Sequence, residues 1–316
     1  MPPDDRTRDR WLSLPFDAWA DTAETLHLWT QVVGKIRMVQ SAWQNHSWHV
    51  TLYVTPRGLT TGTIPHGQQT FSIDFDFFDH LLRVDTCDGM REILPLAPMT
   101  TADFYRDLMD LLARAGRPVD IDTRPNEIAD AIPFEQDTVH GSYDPEAVHR
   151  FWRVLYNADR LFRKFRSRFW GKASPSHFFW GSFDLAVTRF SGRSAPDHPG
   201  GLPNLPLWVA QEAYSHEVSS AGFWPGSRDV PEPIFYSYAY PMPAGMAEAD
   251  VQPPGARWSK DLGEFILPLE TVRAADDPDA ALMAFLESTF EAAARLGRWD
   301  LAMARRRHFP EGRAAR

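Results

Sequence analysis

A chain of 316 residues with 43% hydrophobic and 24% charged side chains can build a sizeable core, as one large domain or two closely packed halves. Its net charge of −9 argues against a general nucleic-acid binder, which neutralises phosphates with Lys and Arg, and no apolar run approaches the roughly 20 residues that span a bilayer. The single cysteine, Cys87, rules out an intrachain disulfide and any multi-cysteine zinc site; in Thr86-Cys87-Asp88-Gly89 it reads as a bystander in a hairpin turn.

Met1 to Arg10 are polar and charged without an apolar stretch, which predicts no signal peptide and a cytosolic protein. A helix is expected from about Asp21 to Gln40, where Asp21 and Glu24 have capping-box spacing and Leu26, Trp29, Val33 and Ile36 share a face. Trp48 to Thr55 alternates like a half-buried strand, and Phe71 to Phe77, Leu82 to Asp85 and Ile93 to Leu96 follow as an antiparallel meander joined by short turns. Thr100 and Asp103 cap a second helix closed by Gly116. Pro118 to Ser142, rich in Pro, Asp and Glu, reads as a connector.

The pattern then restarts. A long helix is expected from Pro145 to Arg168, followed by one strand over Phe178 to Phe190 and a Pro/Gly loop over Ser194 to Pro206. Further strands are expected near Tyr214 to Ser220, Ile234 to Tyr240 and Glu264 to Leu269, and a last helix from Pro278 to Gly297. Both halves therefore read helix, antiparallel strands, helix. Ile93-Leu94-Pro95-Leu96 and Ile266-Leu267-Pro268-Leu269 each precede a helix that ends in Arg-x-Gly-Arg, as Arg114-Ala115-Gly116-Arg117 and Arg295-Leu296-Gly297-Arg298. The fold class expected is α+β: two related halves, residues 1–135 and 136–316, each an antiparallel sheet with flanking helices, arising from an internal duplication.

Several runs resemble a bacterial family, domain of unknown function 5996. They include Thr25-Leu26-His27-Leu28-Trp29-Thr30-Gln31, Leu52-Tyr53-Val54-Thr55-Pro56-Arg57-Gly58, His177 to Arg193, Tyr214 to Ser220, Gly222-Phe223-Trp224-Pro225-Gly226 and Phe235 to Pro241. The resemblance covers nearly the whole chain and implies a bacterial, cytosolic, globular protein. It brings no activity, cofactor or site residue with it.

Candidate chemistry concentrates in the second half. On a continuous strand, Trp180, Ser182 and Asp184 would share one face opposite Phe179, Gly181, Phe183, Leu185 and Val187, as a strand lining a cleft requires; the bland reading pairs Asp184 with a nearby Arg or has it cap a turn. Tyr236, Tyr238 and Tyr240 alternate along another strand and either line a polar ligand's site or form an outer sheet face. The enzymatic reading makes Asp184 or Glu217 a general base, His216 its acid/base partner and Arg189 an anion clamp, with Trp224 at a rim and His49 and Arg57 contributed by the first half. His49, His177, Asp184 and His216 are the metal candidates, though no His-Glu-x-x-His spacing supports them. The basic end of the long helix, Arg160 to Lys172, is a solvated face or an anion site; Arg305 to Arg307 read as a frayed tail.

No Walker loop, dinucleotide glycine motif, nucleophile elbow or Ser-x-x-Lys is present, and no motif names a cofactor. The function expected is an enzyme or binding protein for a small polar or anionic molecule in an aromatic-lined cleft. Its rivals are a non-catalytic interaction or homodimerisation module and a metal-dependent hydrolase.

Overall fold

The first helix, α1 (Ala20–Gln40), has the apolar face the sequence shows, yet Thr25, Thr30, Gln31, Gly34 and Lys35 on its other sides are buried as well. A helix enclosed all round lies inside a molecule rather than on it, and α1 is packed from both halves of the chain in the computed structural model, which describes residues 11–301. Trp180 of the second half lies flat on Gly34, where a Cβ would come within 2.2 Å of the indole. The expected capping box does not form. Asp21 and Glu24 instead pair with Arg228 at 2.5 and 2.7 Å, and no side chain caps the helix.

A six-stranded antiparallel sheet follows, built from β1 (Tyr53–Thr55), β2 (Gly58–Thr60), β3 (Ile64–His66), β4 (Gln69–Asp76), β5 (Leu81–Thr86) and β6 (Arg91–Pro95). Its order is β1-β2-β4-β5-β6, with β3 pairing β4. The strand expected from Trp48 begins only at Tyr53, because His46 and Ser47 take positive φ (58° and 55°) in a tight turn. Cys87 is exposed beyond β5. The next helix, α2 (Thr101–Arg114), starts as expected, with Thr100 Oγ1 accepting Asp103 N–H at 3.1 Å. The connector that follows has only one short 3-10 turn, Phe134–Gln136, anchored by the fully buried Phe134.

In the second half α3 (Pro145–Ser167) is capped by Asp144. The second sheet comprises β7 (His177–Phe179), β8 (Asp184–Ser194), β9 (His216–Trp224), β10 (Ile234–Tyr240), β11 (Arg257–Ser259) and β12 (Glu264–Pro268), ordered β11-β12-β10-β9-β8-β7. Three helices complete it: α4 (Leu207–Ala213), α5 (Leu269–Ala274) and α6 (Pro278–Leu296). The single strand expected over Phe178 to Phe190 is in fact a hairpin. Residues 180–183 turn the chain, with Phe183 at φ 59°, so β7 pairs with β8 instead of continuing into it. The strand expected from Tyr214 starts at His216, because Tyr214 closes α4.

Both sheets run their main strands in one meander order, β1-β2-β4-β5-β6 and β7-β8-β9-β10-β12. Their first strands adjoin. Leu52 and Phe178 exchange backbone hydrogen bonds of 2.9 and 2.8 Å in an antiparallel bridge. Equivalent edges meeting antiparallel is the geometry of a pseudo-two-fold axis, consistent with an internal duplication, and the two Ile-Leu-Pro-Leu runs fall at the matching strands β6 and β12. Among the described residues no helix is long and apolar enough to cross a membrane.

Candidate functional site

Side chains alternate across the second sheet, and its two faces do different work. Leu185, Val187, Ala221, Phe223, Phe235, Phe265 and Leu267 join the core shared with α3 and α6. The opposite face carries Asp184 on β8, Ser220 and Gly222 on β9, Tyr236, Tyr238 and Tyr240 on β10, and Glu264 on β12. Small residues on β9 let the tyrosines lie flat. At Gly222 a Cβ would come within 2.3 Å of the Tyr236 ring and hydroxyl, so only glycine lets that phenol cross β9 and donate to Asp184 Oδ2. Tyr238 stacks on Tyr236 at 6.0 Å, and its hydroxyl lies 2.8 Å from that of Tyr214 at the end of α4. Tyr240 donates to the carbonyls of Pro196 and Asp197, at 3.1 Å each, in the loop that precedes α4.

The connector from the first half closes the site's other side. Glu127, at φ 61°, sets its carboxyl against Gly181 and accepts from Ser182 Oγ at 2.5 Å, while its N–H donates to Pro203 O at 2.8 Å. Neighbouring Asn126 is held from α1, its N–H donating to Gln31 Oε1 at 2.8 Å. His27, one turn before Gln31, stacks on Phe183 at 5.0 Å and donates from Nε2 to Gly181 O at 2.9 Å. Burial pushes the His27 imidazolium down to about 4, so this ring is neutral. Ser182→Ala removes a hydrogen-bond partner from the Glu127 carboxyl and is expected to lower stability by about 1 kcal/mol in urea unfolding.

Three acidic groups thus face one region. Burial pushes Asp184 up to about 7, with the Tyr236 hydrogen bond pulling down and the Glu127 charge pushing further up. Burial and then the charge of Asp184 push Glu264 up to about 8, and burial raises Glu127 against the pull of Ser182. Among the described residues no Lys or Arg pairs with any of the three. Of the two bland readings of Asp184, the ion pair with arginine is not what the fold builds.

The other sequence candidates scatter. Arg189 lies five residues along β8 from Asp184, hence on the opposite face, 1% exposed between Phe165, Phe290 and Phe169. It donates to Phe165 O at 2.5 Å and pairs with Glu287 at 3.4 Å, so the expected anion clamp is instead a structural cation at the end of α3. His216 is at the far end of the sheet. Leu185, next to Asp184, pairs with Phe223, seven positions along β9 from His216, roughly 23 Å at about 3.3 Å per residue. Glu217 points to the other face and pairs with Arg193 at 2.6 Å. These positions do not form the expected acid/base group with Asp184.

Trp180 lies in the hairpin turn, not beside Asp184, and donates from Nε1 to Val50 O at 2.7 Å. Ser182 reaches the site only through Glu127. Trp224 shares the Gly222 face at the end of β9 and is half-buried. His49 is buried against Trp43 at 4.5 Å, and Arg57 binds Asp76 and Asp79 at 2.6 and 2.7 Å beside the first sheet. His177 is buried near Arg37 and pushed down to about 3, by burial first and that charge second. His49, His177, Asp184 and His216 therefore do not converge, and among the described residues no three His, Cys, Asp or Glu side chains group as metal ligands. In the basic stretch Arg160, Arg163 and Arg168 are engaged with Asp279, Asp159 and Glu287. Arg305 to Arg307 lie outside the described residues.

Sequence reasoning missed His27, Gln31, Glu127, Gly222 and Glu264. His27 and Gln31 stand four apart on α1, one helical face, which was the available signal for that pair. Glu127 and Glu264 gave none, since one lies in irregular chain and the other at a strand's first residue.

Fold and site together define an α+β protein of two linked meander sheets, one carrying a buried carboxyl–phenol cluster on the face opposite the core it shares with α3 and α6. The chain belongs to the family of unknown function DUF5996, whose family model matches residues 11–306. No curated protein and no solved structure is detectably similar to it.

Proposed function

We propose that this protein binds, and acts on, a small polar molecule at the Asp184–Tyr236–Tyr238 face, and that the ligand is cationic. The observation that carries this reading is the gathering of Asp184, Glu264 and Glu127 without a partner cation against stacked tyrosines. A carboxylate held in low dielectric favours an incoming positive charge, and phenol faces attract organic cations through their quadrupoles. The anionic ligand expected from the sequence loses its support, because Arg189 faces the core instead. In the enzymatic form Asp184, poised at about 7, is the acid/base group and Tyr236 its hydrogen-bonded partner. The setting is a bacterial cytoplasm, and the two halves descend from one duplicated unit.

Thermal unfolding with millimolar ethanolamine, choline or putrescine, set against acetate and succinate, tests the reading. An amine is expected to raise the melting temperature by several degrees, and Asp184→Asn to abolish the response. Stabilisation by the carboxylates alone would overturn it. No response to either set, with self-association in solution, would favour an interaction module instead, for which the exposed Trp43 and Trp208, 5.3 Å apart, supply an apolar patch.

A further inference from the structure

A second cluster of chemically able groups lies at the other end of the sheet, where three segments distant in sequence meet. The left-handed turn at His46 brings that ring, 4% exposed, against Phe190 at 4.6 Å. Its orientation is fixed from both sides: His46 N–H donates to Glu212 Oε1 at 2.8 Å, and Nδ1 donates to Ala213 O at 3.0 Å. The proton therefore sits on Nδ1, and Nε2 presents a lone pair. Lys172 Nζ points at that lone pair from 2.5 Å, resting over the Phe190 and Trp48 rings at 4.7 and 5.5 Å. Its backbone is pinned beside β8, where Phe190 N–H donates to Lys172 O at 3.0 Å.

We propose that Lys172 is a nucleophilic amine that captures small aldehydes as imines, with His46 Nε2 accepting the amine's proton. Lys172 is an exposed residue whose amine leans on aromatic carbon, so a small electrophile can approach it from solvent. Burial lowers the proton affinity of the Lys172 amine, with Glu212 acting against the shift, and burial first also keeps His46 neutral. Glu212, whose Oε1 accepts the His46 N–H, leaves its buried Oε2 without a hydrogen-bond partner in the same cluster.

The step balances without an added oxidant or reductant. The amine lone pair forms a C–N bond to the carbonyl carbon, the C=O π pair moves to oxygen, and His46 Nε2 takes one of the two amine protons and delivers it to that oxygen, giving the carbinolamine. The nitrogen lone pair then forms the C=N bond as the C–O bond breaks, and His46 carries the second amine proton to the departing hydroxide, which leaves as water.

The chain has four lysines, Lys35, Lys164, Lys172 and Lys260, which makes the test direct. Limiting formaldehyde with cyanoborohydride at pH 7, followed by peptide mass spectrometry, compares their labelling rates. Lys172 is expected to react several-fold faster than the exposed Lys164 and Lys260, because His46 Nε2 stands ready to take its proton. His46→Phe keeps a ring on Phe190 but removes the acceptor, and should bring the ratio close to one while Lys164 is unchanged. Equal rates in the wild-type protein overturn the proposal, as does an undiminished preference in the folded variant. If that variant does not fold, the wild-type ratio alone decides.

Discussion

Asp184→Asn is expected to make the protein more stable than the wild type above pH 7 and no more stable below pH 4. Asp184 is 7% exposed, and burial pushes its carboxyl up from the ordinary 3.8 to about 7. Below about pH 4 the folded and unfolded chains both hold this proton, and the carboxyl costs nothing. Between about 4 and 7 only the folded chain holds it, so stability falls as pH rises; above 7 the whole cost is present. Three units of proton affinity correspond to on the order of 4 kcal/mol. The asparagine keeps an acceptor for the Tyr236 hydroxyl but adds a buried amide N–H, a cost of about 1–2 kcal/mol at every pH. A net gain of about 2 kcal/mol at pH 8 remains, measurable by urea unfolding of both proteins at pH 4, 6 and 8. Glu264 extends the fall in the wild type towards pH 8, and removing the Asp184 charge should lower its affinity too, since the two titrate as a pair. A wild type whose stability relative to the variant is flat or rising from pH 5 to 8 would show that Asp184 is not held protonated.

A buried carboxyl whose neutralisation is expected to stabilise the fold departs from what folding alone would favour. The same strand supplies the contrast. Arg189 is buried as deeply, yet its charge meets Glu287, the carbonyl of Phe165 and aromatic faces, the partners that make a buried cation tolerable. Asp184 receives one phenol hydrogen bond and two more carboxyl groups for neighbours. One face of the sheet compensates its charge, and the other gathers acidic groups with no cation among the described residues to balance them.

The architecture was legible because it rests on local patterns. The Pro-initiated starts of α3 and α6, the alternation of β4 and β10 and the Thr100 cap are all written within a few residues of where they act. Errors arose where backbone geometry overrode pattern. Phe183 and His46 adopt left-handed conformations that an alternating apolar run does not announce, so one expected strand became a hairpin and another was shortened. The site was half legible. Strand alternation put Tyr236 and Tyr238 on one face and, by the same parity, should have set Arg189 opposite Asp184. Glu127 and Glu264 reach Asp184 only through the tertiary path of the connector and the strand order, information that pairing register holds and a linear string does not.

Gly222→Ala is expected to collapse the link between Tyr236 and Asp184 and to cost about 3 kcal/mol. The added methyl would lie 2.3 Å from the Tyr236 hydroxyl and Cζ and 2.5 Å from Leu185 O. The tyrosine can swing aside, but the Leu185 carbonyl belongs to β8, which pairs with β9 at this position, so the strands themselves must shift. Overpacking of that kind costs about 1–3 kcal/mol, and backbone on one side puts this case at the upper end. For a chain of this size the melting temperature should drop by about 4–5 °C. The loss should be smaller at pH 8 than at pH 5 if opening the site rehydrates Asp184, because hydration removes part of the penalty that burial imposes on its charge. A variant melting within about 1 °C of the wild type, with an unchanged pH profile, would mean that Tyr236 does not lie across β9 and that the carboxyl–phenol site is not built as described.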